Sequence, residues 1–352
     1  MTVTRKEKLI LTRYNNAVII KIFSAAFLPL FLVISLFINS CAGTTKSVKD
    51  KPVIIFGRVD IKGDTVGINP RKFDAALALS IKLSKKFDYI SLDKSQELLG
   101  GDSSRQIKIT EIADEAGADY IATAQVNTLK NIIRTQIVLS NVNEPEKRFT
   151  GAGYSAVNYI DAGSGEKVYD PSLLSSLQRA LAVALNDSNM FVNPEMGINV
   201  RPLPTLVIGS IAFLGESKNE WDLYTDKVVA SYAAVETIFE AANKSTDYVF
   251  YDTDTRDSVY KIFGFNVVEN YSPPSIHEIR ALYQMAVDYY VAGSITRTAE
   301  GADLTVSLYS IEKDGLILLK SENEKFTDDS RMVFLEHVGR AARRLFGLAK
   351  NP

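Results

Sequence analysis

The chain carries one succession of apolar segments twice, and this internal repeat constrains its architecture more than any other feature. PVIIFGRVDIKGDT begins at Pro52, and PTLVIGSIAFLGES begins at Pro204. The proline and two glycines of the first segment recur 152 positions later. Each segment is a short run of β-branched and aliphatic residues bounded by proline and glycine, which is typical of a buried strand. The sequence therefore predicts two domains of similar construction.

A helix and a second strand follow the first strand in each half. The amphipathic helical stretches are residues 73–87 and 228–244, and FDYISLD and TDYVFYD come after them. Within these second strands, Asp88 and the tyrosine after it align with Asp247 and the tyrosine after it. We therefore expect the second strands to be equivalent at these positions.

The later parts of the two halves match at another constant offset. ADYIATAQV at 118–126 and VDYYVAGSI at 287–295 are 169 positions apart, and the offset continues into the next strand. Each half then makes a further extended run and closes with a helix, at 173–185 and 332–346. This order of elements predicts an α/β (α+β) fold of two tandem repeats, each a mixed sheet packed by helices.

The domain boundaries follow from the repeat. The first repeat domain is predicted at 52–192 and the second at 204–352, with a linker at 193–203 that contains prolines and a glycine. With 46% hydrophobic and 23% charged residues, the chain has the balance of a folded protein. The formal net charge is −2, which argues against nucleic acid as a partner because phosphate neutralisation requires a basic surface.

Residues 1–40 have the charge order of a bacterial export signal. Basic residues precede a nearly continuous apolar run at 22–38. A run of about 17 residues is close to the lower limit for crossing the bilayer, so length alone leaves an uncleaved anchor open. The only cysteine, Cys41, comes shortly after this run. A single thiol can form no intramolecular disulfide and no cysteine-based zinc site.

The stretch Ile38-Asn39-Ser40-Cys41 resembles the lipobox of bacterial lipoproteins. The resemblance implies cleavage between Ser40 and Cys41, lipidation of Cys41, and a membrane anchor of acyl chains, palmitate among them. Asn39 departs from the small or β-branched residue usual at its position. Residues 41–51 are then a flexible tether. Because alanine rather than aspartate follows the cysteine, the resemblance implies the outer membrane, with the domains in the periplasm.

The motif ADYIATAQV followed by TQIVLSNV resembles the periplasmic α/β domain of the TolB amino-terminal, CsgG and LpoB type. The resemblance extends over both repeats and implies non-catalytic domains that bind partners in the cell envelope. Two features depart from it. The chain lacks the long alternating hairpins from which CsgG builds a pore, and its tether is much shorter than the stalk of LpoB-type activators.

The sequence offers little catalytic chemistry. Its two histidines, His277 and His337, share no motif with a nucleophile or metal ligands. Ser275 is a predicted helix N-cap, which favours a solvent-facing helix position for His277. GSGEK at 163–167 lacks phosphate-loop spacing and indicates a hairpin turn. YDTDTRD at 251–257 lacks the glycine and glutamate of a calcium loop and indicates a solvated turn. We predict no catalytic, cofactor or metal site.

These patterns favour a lipid-anchored envelope protein that serves as a non-catalytic interaction or assembly module. The predicted partners are the membrane, through acyl chains on Cys41, and an unidentified envelope protein, and oligomerisation stays open. The alternatives are an envelope hydrolase or sugar-binding enzyme with an unrecognised acidic site, and a secretion-channel subunit. Tyrosines crowd the second half, where core packing is favoured over an exposed binding patch near Tyr251 or Tyr271.

Overall fold

The computed structural model describes residues 50–63, 67–98, 109–215, 221–265 and 269–348. It confirms the α/β class, because two five-stranded mixed sheets are each packed by helices. Ser40, Cys41 and the predicted signal segment lie outside the described residues. Within the described ranges, no helix combines the length and apolar character needed to cross a bilayer.

The first half forms one sheet and the helices packed on it. Its elements in chain order are β1 (Val53–Gly63), α1 (Pro70–Ser84), β2 (Asp88–Ile90), α2 (Leu92–Leu98), α3 (Ile109–Glu115), β3 (Tyr120–Leu129), β4 (Ile132–Asn141), β5 (Arg148–Ala156) and α4 (Asp170–Ala184). The strand order is β2-β1-β3-β4-β5. Strands β2 and β3 run parallel to β1, whereas β3, β4 and β5 are antiparallel in succession.

The second half repeats this arrangement after a short hairpin. Its elements are β6 (Val192–Asn193), a 3₁₀ turn (Pro194–Met196), β7 (Ile198–Asn199), β8 (Thr205–Leu214), α5 (Asp222–Thr225), α6 (Lys227–Ala242), β9 (Val249–Tyr251), α7 (Thr253–Ile262), α8 (Ile276–Gln284), β10 (Tyr289–Arg297), β11 (Ala302–Glu312), β12 (Gly315–Phe326) and α9 (Arg331–Leu345). The strand order β9-β8-β10-β11-β12 is that of the first sheet.

Strand pairing confirms both sequence offsets. Ile54 of β1 lies opposite Tyr120 of β3, and Leu206 of β8 lies opposite Tyr289 of β10. Residues 152 positions apart in the first strands therefore occupy equivalent places, as do residues 169 positions apart in the third strands. The pairing in both sheets also shifts register at the first strand's matched glycine, which is Gly57 in one half and Gly209 in the other.

The aspartate of the repeated Asp-Tyr pair before the third strand ties that strand to the first. Asp119 Oδ2 accepts a hydrogen bond from the backbone amide of Val53 at 2.7 Å. Asp288 Oδ2 accepts the equivalent bond from Thr205 at 2.8 Å. Each contact pairs the amide that begins the first strand, which would otherwise lack a strand partner. The repeated aspartate thus has the same structural role in both halves.

The second strands, β2 and β9, align with each other in a different register from the one predicted from the sequence. Asp88 pairs with Val53, whereas the equivalent partner of Thr205 is Val249. Asp88 is therefore equivalent to Val249 and not to Asp247, so the predicted alignment was wrong by two residues. Side chains alternate between the faces of a strand with a period of two, and a two-residue slip leaves the inward-facing pattern intact. The apolar pattern could not reveal the error.

Helices cover both faces of each sheet. Helices α1 and α4 pack on one face of the first sheet and α3 on the other, while α6 and α9 pack on one face of the second sheet and α7 and α8 on the other. These apolar clusters all lie within Lys51–Pro352, which is one compact unit. This part of the chain therefore contains the complete cores that it needs to fold by itself.

Candidate interaction surfaces at a free sheet edge and at the repeat junction

The two histidines lie in different environments. His277 is exposed on α8, and that helix begins with a capping box of Ser275 and Glu278, which confirms the predicted N-cap. His337 lies half-buried on α9, where its Nδ1 is 2.7 Å from a carboxylate oxygen of Glu324. Across the described residues, no group of His, Cys, Asp and Glu side chains is arranged to hold a metal ion.

The glycine-rich stretch at 163–167 forms the predicted hairpin turn. Ile160 and Lys167 make an antiparallel bridge across it. Asp161 Oδ1 accepts hydrogen bonds from the backbone amides of Gly163 and Ser164, at 3.0 and 2.8 Å. These bonds lower the pKa of Asp161 because they favour its ionised form. The stretch is a self-contained turn.

The aspartate cluster at 251–257 differs from its prediction. The expected solvated turn is instead the start of helix α7, which Asp252 caps by accepting a hydrogen bond from Thr255 N at 2.8 Å. Asp257 forms an ion pair at 2.8 Å with Arg256, which is almost fully buried. Arg256 also donates to the carbonyl oxygens of Ile208 and Gly209, where β8 bulges. Asp252 and Asp257 therefore have structural roles, as a helix cap and as the ion-pair partner of a buried arginine.

Core packing accounts for Tyr251, one of the two tyrosines considered for a binding patch, and for two further tyrosines of the second half. Tyr251, Tyr260 and Tyr290 are buried. Burial raises the pKa of Tyr290 to about 12, because the ionised phenol is disfavoured away from water. Tyr271 is half-buried, with Lys227 Nζ 4.9 Å from the centre of its ring. No exposed aromatic patch forms at Tyr251.

The most exposed apolar surface on a sheet lies along β12. This strand pairs with β11 on one side and has no strand partner among the described residues on the other. Ile317, Leu318 and Leu319 are 55%, 56% and 52% exposed. The β11–β12 register shifts at Leu319, which is the additional residue of a bulge. Aliphatic side chains beside an open strand edge are typical of a surface that pairs with another chain.

Charged residues attach the rest of β12 to helix α9. Arg344 Nε lies 3.0 Å from Glu322, and Arg344 Nη1 lies 2.5 Å from Glu324. Glu324 is only 8% exposed and also contacts His337 and Arg340. Burial by itself would raise the pKa of Glu324, but hydrogen bonds from His337 and Arg344 outweigh it and hold this pKa below its usual value. Both carboxylates are therefore paired with cations.

The two halves meet where the β3–β4 turn contacts β9. Asn131 is 6% exposed, and its Nδ2 donates to the carbonyl oxygen of Phe250 at 3.1 Å. Its Oδ1 accepts from the backbone amide of Asp252 at 3.4 Å, and its own amide donates to Thr255 Oγ1 at 3.1 Å. The side-chain carboxamide thus occupies the place of a neighbouring strand on the open side of β9.

A cavity of about 470 Å³ lies beside this junction. Side chains from both halves form its apolar walls, among them Leu129, Ile132, Tyr251, Ile262 and Met285. Sequence reasoning missed the cavity, because its walls come from segments more than a hundred positions apart. It also missed the β12 surface, although three consecutive aliphatic residues at 317–319 break the alternation of a half-buried strand.

Comparisons with known proteins give likenesses to solved structures only, since no protein-family model and no curated protein matches the chain. The LpoB C-terminal domain from Salmonella enterica is 21% identical with a TM-score of 0.25, and the match covers 32% of this chain and 87% of that one. Lipoprotein GNA1162 from Neisseria meningitidis is 14% identical, with a TM-score of 0.25 and coverages of 40% and 99%. A PelC dodecamer from Paraburkholderia phytofirmans is 11% identical, with a TM-score of 0.25 and coverages of 42% and 90%.

Proposed function

We propose that this protein is a lipid-anchored component of the bacterial cell envelope that binds another envelope protein and catalyses no reaction. The observation that carries the proposal is the free edge of β12 with its three exposed aliphatic side chains. Soluble proteins usually blunt such edges with charges, proline, a bulge or a covering element, and although β12 has a bulge at Leu319 its three aliphatic side chains stay exposed. An uncovered apolar edge is best explained by a partner that covers it.

The proposed partner contributes an extended segment that adds a sixth strand beside β12. Main-chain hydrogen bonds provide affinity in this mode of recognition, and alternate side chains of the added strand provide specificity. Ile317 and Leu319 lie two positions apart, next to the exposed Leu318, so the partner segment is expected to carry aliphatic or aromatic residues. Lys313 and Asp314 in the turn before Gly315 are exposed, so this end of the strand is accessible.

The anchor is a separate part of the proposal and concerns the segment before the described residues. Cleavage between Ser40 and Cys41, with acylation of Cys41, would hold both repeats at the periplasmic face of the outer membrane. Labelled palmitate should then be incorporated by the full chain and not by a Cys41→Ser variant. A Cys41→Ser protein that remains labelled and membrane-bound would refute the anchor.

Partner binding is tested by substitution at the free edge of the full chain. Leu318→Lys places a charge where the partner strand would lie, and Met332→Lys places one on α9 at a residue that is 79% exposed. Proteins crosslinked to the chain in cells are quantified for both variants and the unmodified chain. The proposal expects a specific envelope protein that is lost with Leu318→Lys and retained with Met332→Lys. Loss in both variants, or in neither, contradicts it.

A further inference from the structure

We propose that the junction cavity is a binding site for a small carboxylate with an apolar body, separate from the protein partner at β12. Its volume of about 470 Å³ lies in the range of roughly 300–1,000 Å³ that small-molecule sites occupy. Its walls are mainly aliphatic and aromatic, with a few polar groups among them. This combination is typical of sites that bury an apolar body and orient it through one charged group.

Arg134 supplies the charged group. Its Nε donates to Tyr154 Oη at 3.0 Å and its Nη1 to Gln136 Oε1 at 3.2 Å, and the guanidinium carbon is 5.8 Å from the centre of the Tyr154 ring. Both hydrogen-bond acceptors are neutral. None of the ion pairs found among the described residues involves Arg134. Among the described residues, this half-buried positive charge at the cavity therefore has no carboxylate partner.

The other charged residue that lines the cavity contributes little to anion binding, so Arg134 is the main source of positive charge there. Lys62 is the second basic lining residue; its side chain is 59% exposed and pairs with Asp60 at 3.3 Å. No aspartate or glutamate is among the described residues that line the cavity. Electrostatic interactions are stronger near a half-buried charge than in bulk water, so Arg134 attracts an anion and repels a cation.

Geometry and wall chemistry select a carboxylate over other anions. A guanidinium presents paired N–H groups that match the two oxygens of a carboxylate. Phosphate shares that match, but a small, fully hydrated phosphate would leave the walls of Leu129, Ile132 and Met285 without a ligand contact. A carboxylate joined to an apolar body satisfies both parts of the site.

The equivalent position in the second half supports a specific role for Arg134. The residue 169 positions later is Asp303, and the strand neighbour equivalent to Tyr154 is Lys325. These two side chains form an ion pair at 3.7 Å. In the second half, the charges of Asp303 and Lys325 therefore neutralise each other. In the first half, Arg134 and Tyr154 occupy these positions, and the positive charge of Arg134 lies at the apolar cavity.

The experiment is a calorimetric titration of Lys51–Pro352 with octanoate. Octanol is the matched apolar probe without charge, and acetate is the matched carboxylate without an apolar body. We expect saturable 1:1 binding of octanoate, with markedly weaker binding of both other probes. Because Arg134 would make charge-assisted hydrogen bonds, Arg134→Gln should weaken octanoate binding about tenfold or more. Arg148→Gln, at an exposed arginine of β5, should leave it unchanged.

Ile262→Trp is a second variant that tests the location independently of charge. Ile262 lines the cavity and is nevertheless 61% exposed, so a larger side chain can narrow the opening without entering a core. Octanoate binding should also weaken in Ile262→Trp. This result remains informative if Arg134→Gln prevents folding. Absence of saturable octanoate binding by the unmodified protein would overturn the proposal. Equal affinity for octanol, or octanoate binding that Ile262→Trp leaves intact, would also overturn it.

Discussion

The last strand of each sheet meets its closing helix in a different way, although the two sheets share one topology. Gly151 and Gly153 of β5 are equivalent to Glu322 and Glu324 of β12, as the pairing of each strand with its neighbour shows. A Cβ atom at either glycine would lie 2.2 Å from a backbone oxygen of α4. The first half therefore brings backbone against backbone, and the second half joins strand to helix through ionised side chains.

This difference indicates which parts of the repeat maintain the fold and which have diverged. The bulge glycines and strand-tying aspartates keep the same roles in both halves, because they determine how the first and third strands pair. The outer strand is less constrained. In the first half it packs closely under α4, and in the second half it is long, charged toward α9 and exposed at 317–319. This difference supports the proposal that the outer strand of the second half binds the partner.

We expect the largest loss of stability when the close contact between β5 and α4 is disrupted. Gly153→Ala places a Cβ atom 2.2 Å from the carbonyl oxygen of Ser176, so β5 or α4 must move. We expect the free energy of unfolding to fall by about 3 kcal/mol, the upper part of the usual range for overpacking. Urea unfolding of Lys51–Pro352 measures it. Gly315→Ala is the control, since open space surrounds that position. Equal stability of the two variants would show that close packing is not required.

The next comparison is between the β3–β4 turn of the first half and the equivalent β10–β11 turn of the second half. Asn131 and Glu300 are equivalent by the 169-residue offset, but Asn131 is buried against β9 and Glu300 is exposed. Asn131→Ala removes the side-chain bonds to Phe250 O and Asp252 N and should lower the free energy of unfolding by about 2 kcal/mol. Glu300→Ala should change it by less than about 0.5 kcal/mol. Similar changes in denaturant midpoints for the two variants would contradict the proposed role of the junction.

The ion pairs between Glu324 and helix α9 should make the free energy of unfolding depend on pH. The pKa of Glu324 is lower in the folded state than its usual value, so the unfolded chain binds the proton more tightly. Its stabilising contribution is complete above the usual glutamate pKa and is lost as pH falls through the lower folded value. Glu324→Gln should therefore cost about 1.5 kcal/mol near neutral pH, and the difference from the unmodified protein should shrink in acid.

Glu336→Gln is the matched control for this pH dependence. Glu336 contacts Arg340 of the same helix, but its side chain is 64% exposed, and exposed pairs contribute little. Its unfolding curves should follow those of the unmodified protein at every pH. A Glu324→Gln penalty that stays constant from neutral to acid pH would contradict the charged origin of the β12–α9 contact.

The sequence could predict the fold where the repeat has clear chemical markers. Proline, glycine and aspartate at fixed offsets identified the first and third strands, because each residue meets a backbone requirement that few others can meet. The two-residue error in the second strand arose because alternation is insensitive to a shift of two. Apolar patterns therefore identified the elements correctly but could not determine every register.

The sites were harder to predict, for a different physical reason. The contact of Asn131 with Phe250 and the isolation of Arg134 from carboxylates depend on how two sheets pack together, and neither leaves a local pattern. The paired glycines opposite α4 have no counterpart in the second half, where Glu322 and Glu324 occupy the equivalent positions, so the repeat gave no sign of their role. The aliphatic run at 317–319 was visible as well, but its exposure could not be inferred before β12 was known to be an edge strand.

Site-specific photocrosslinking in cells tests the assignment of partner binding most directly. A photoreactive residue is placed at Leu318 of β12 in one full-length chain and at the equivalent Arg148 of β5 in another. Both positions are exposed, so probe accessibility does not distinguish them. We expect a discrete adduct with one envelope protein from Leu318 and none from Arg148. The same adduct from both positions, or an adduct from Arg148 alone, would contradict it.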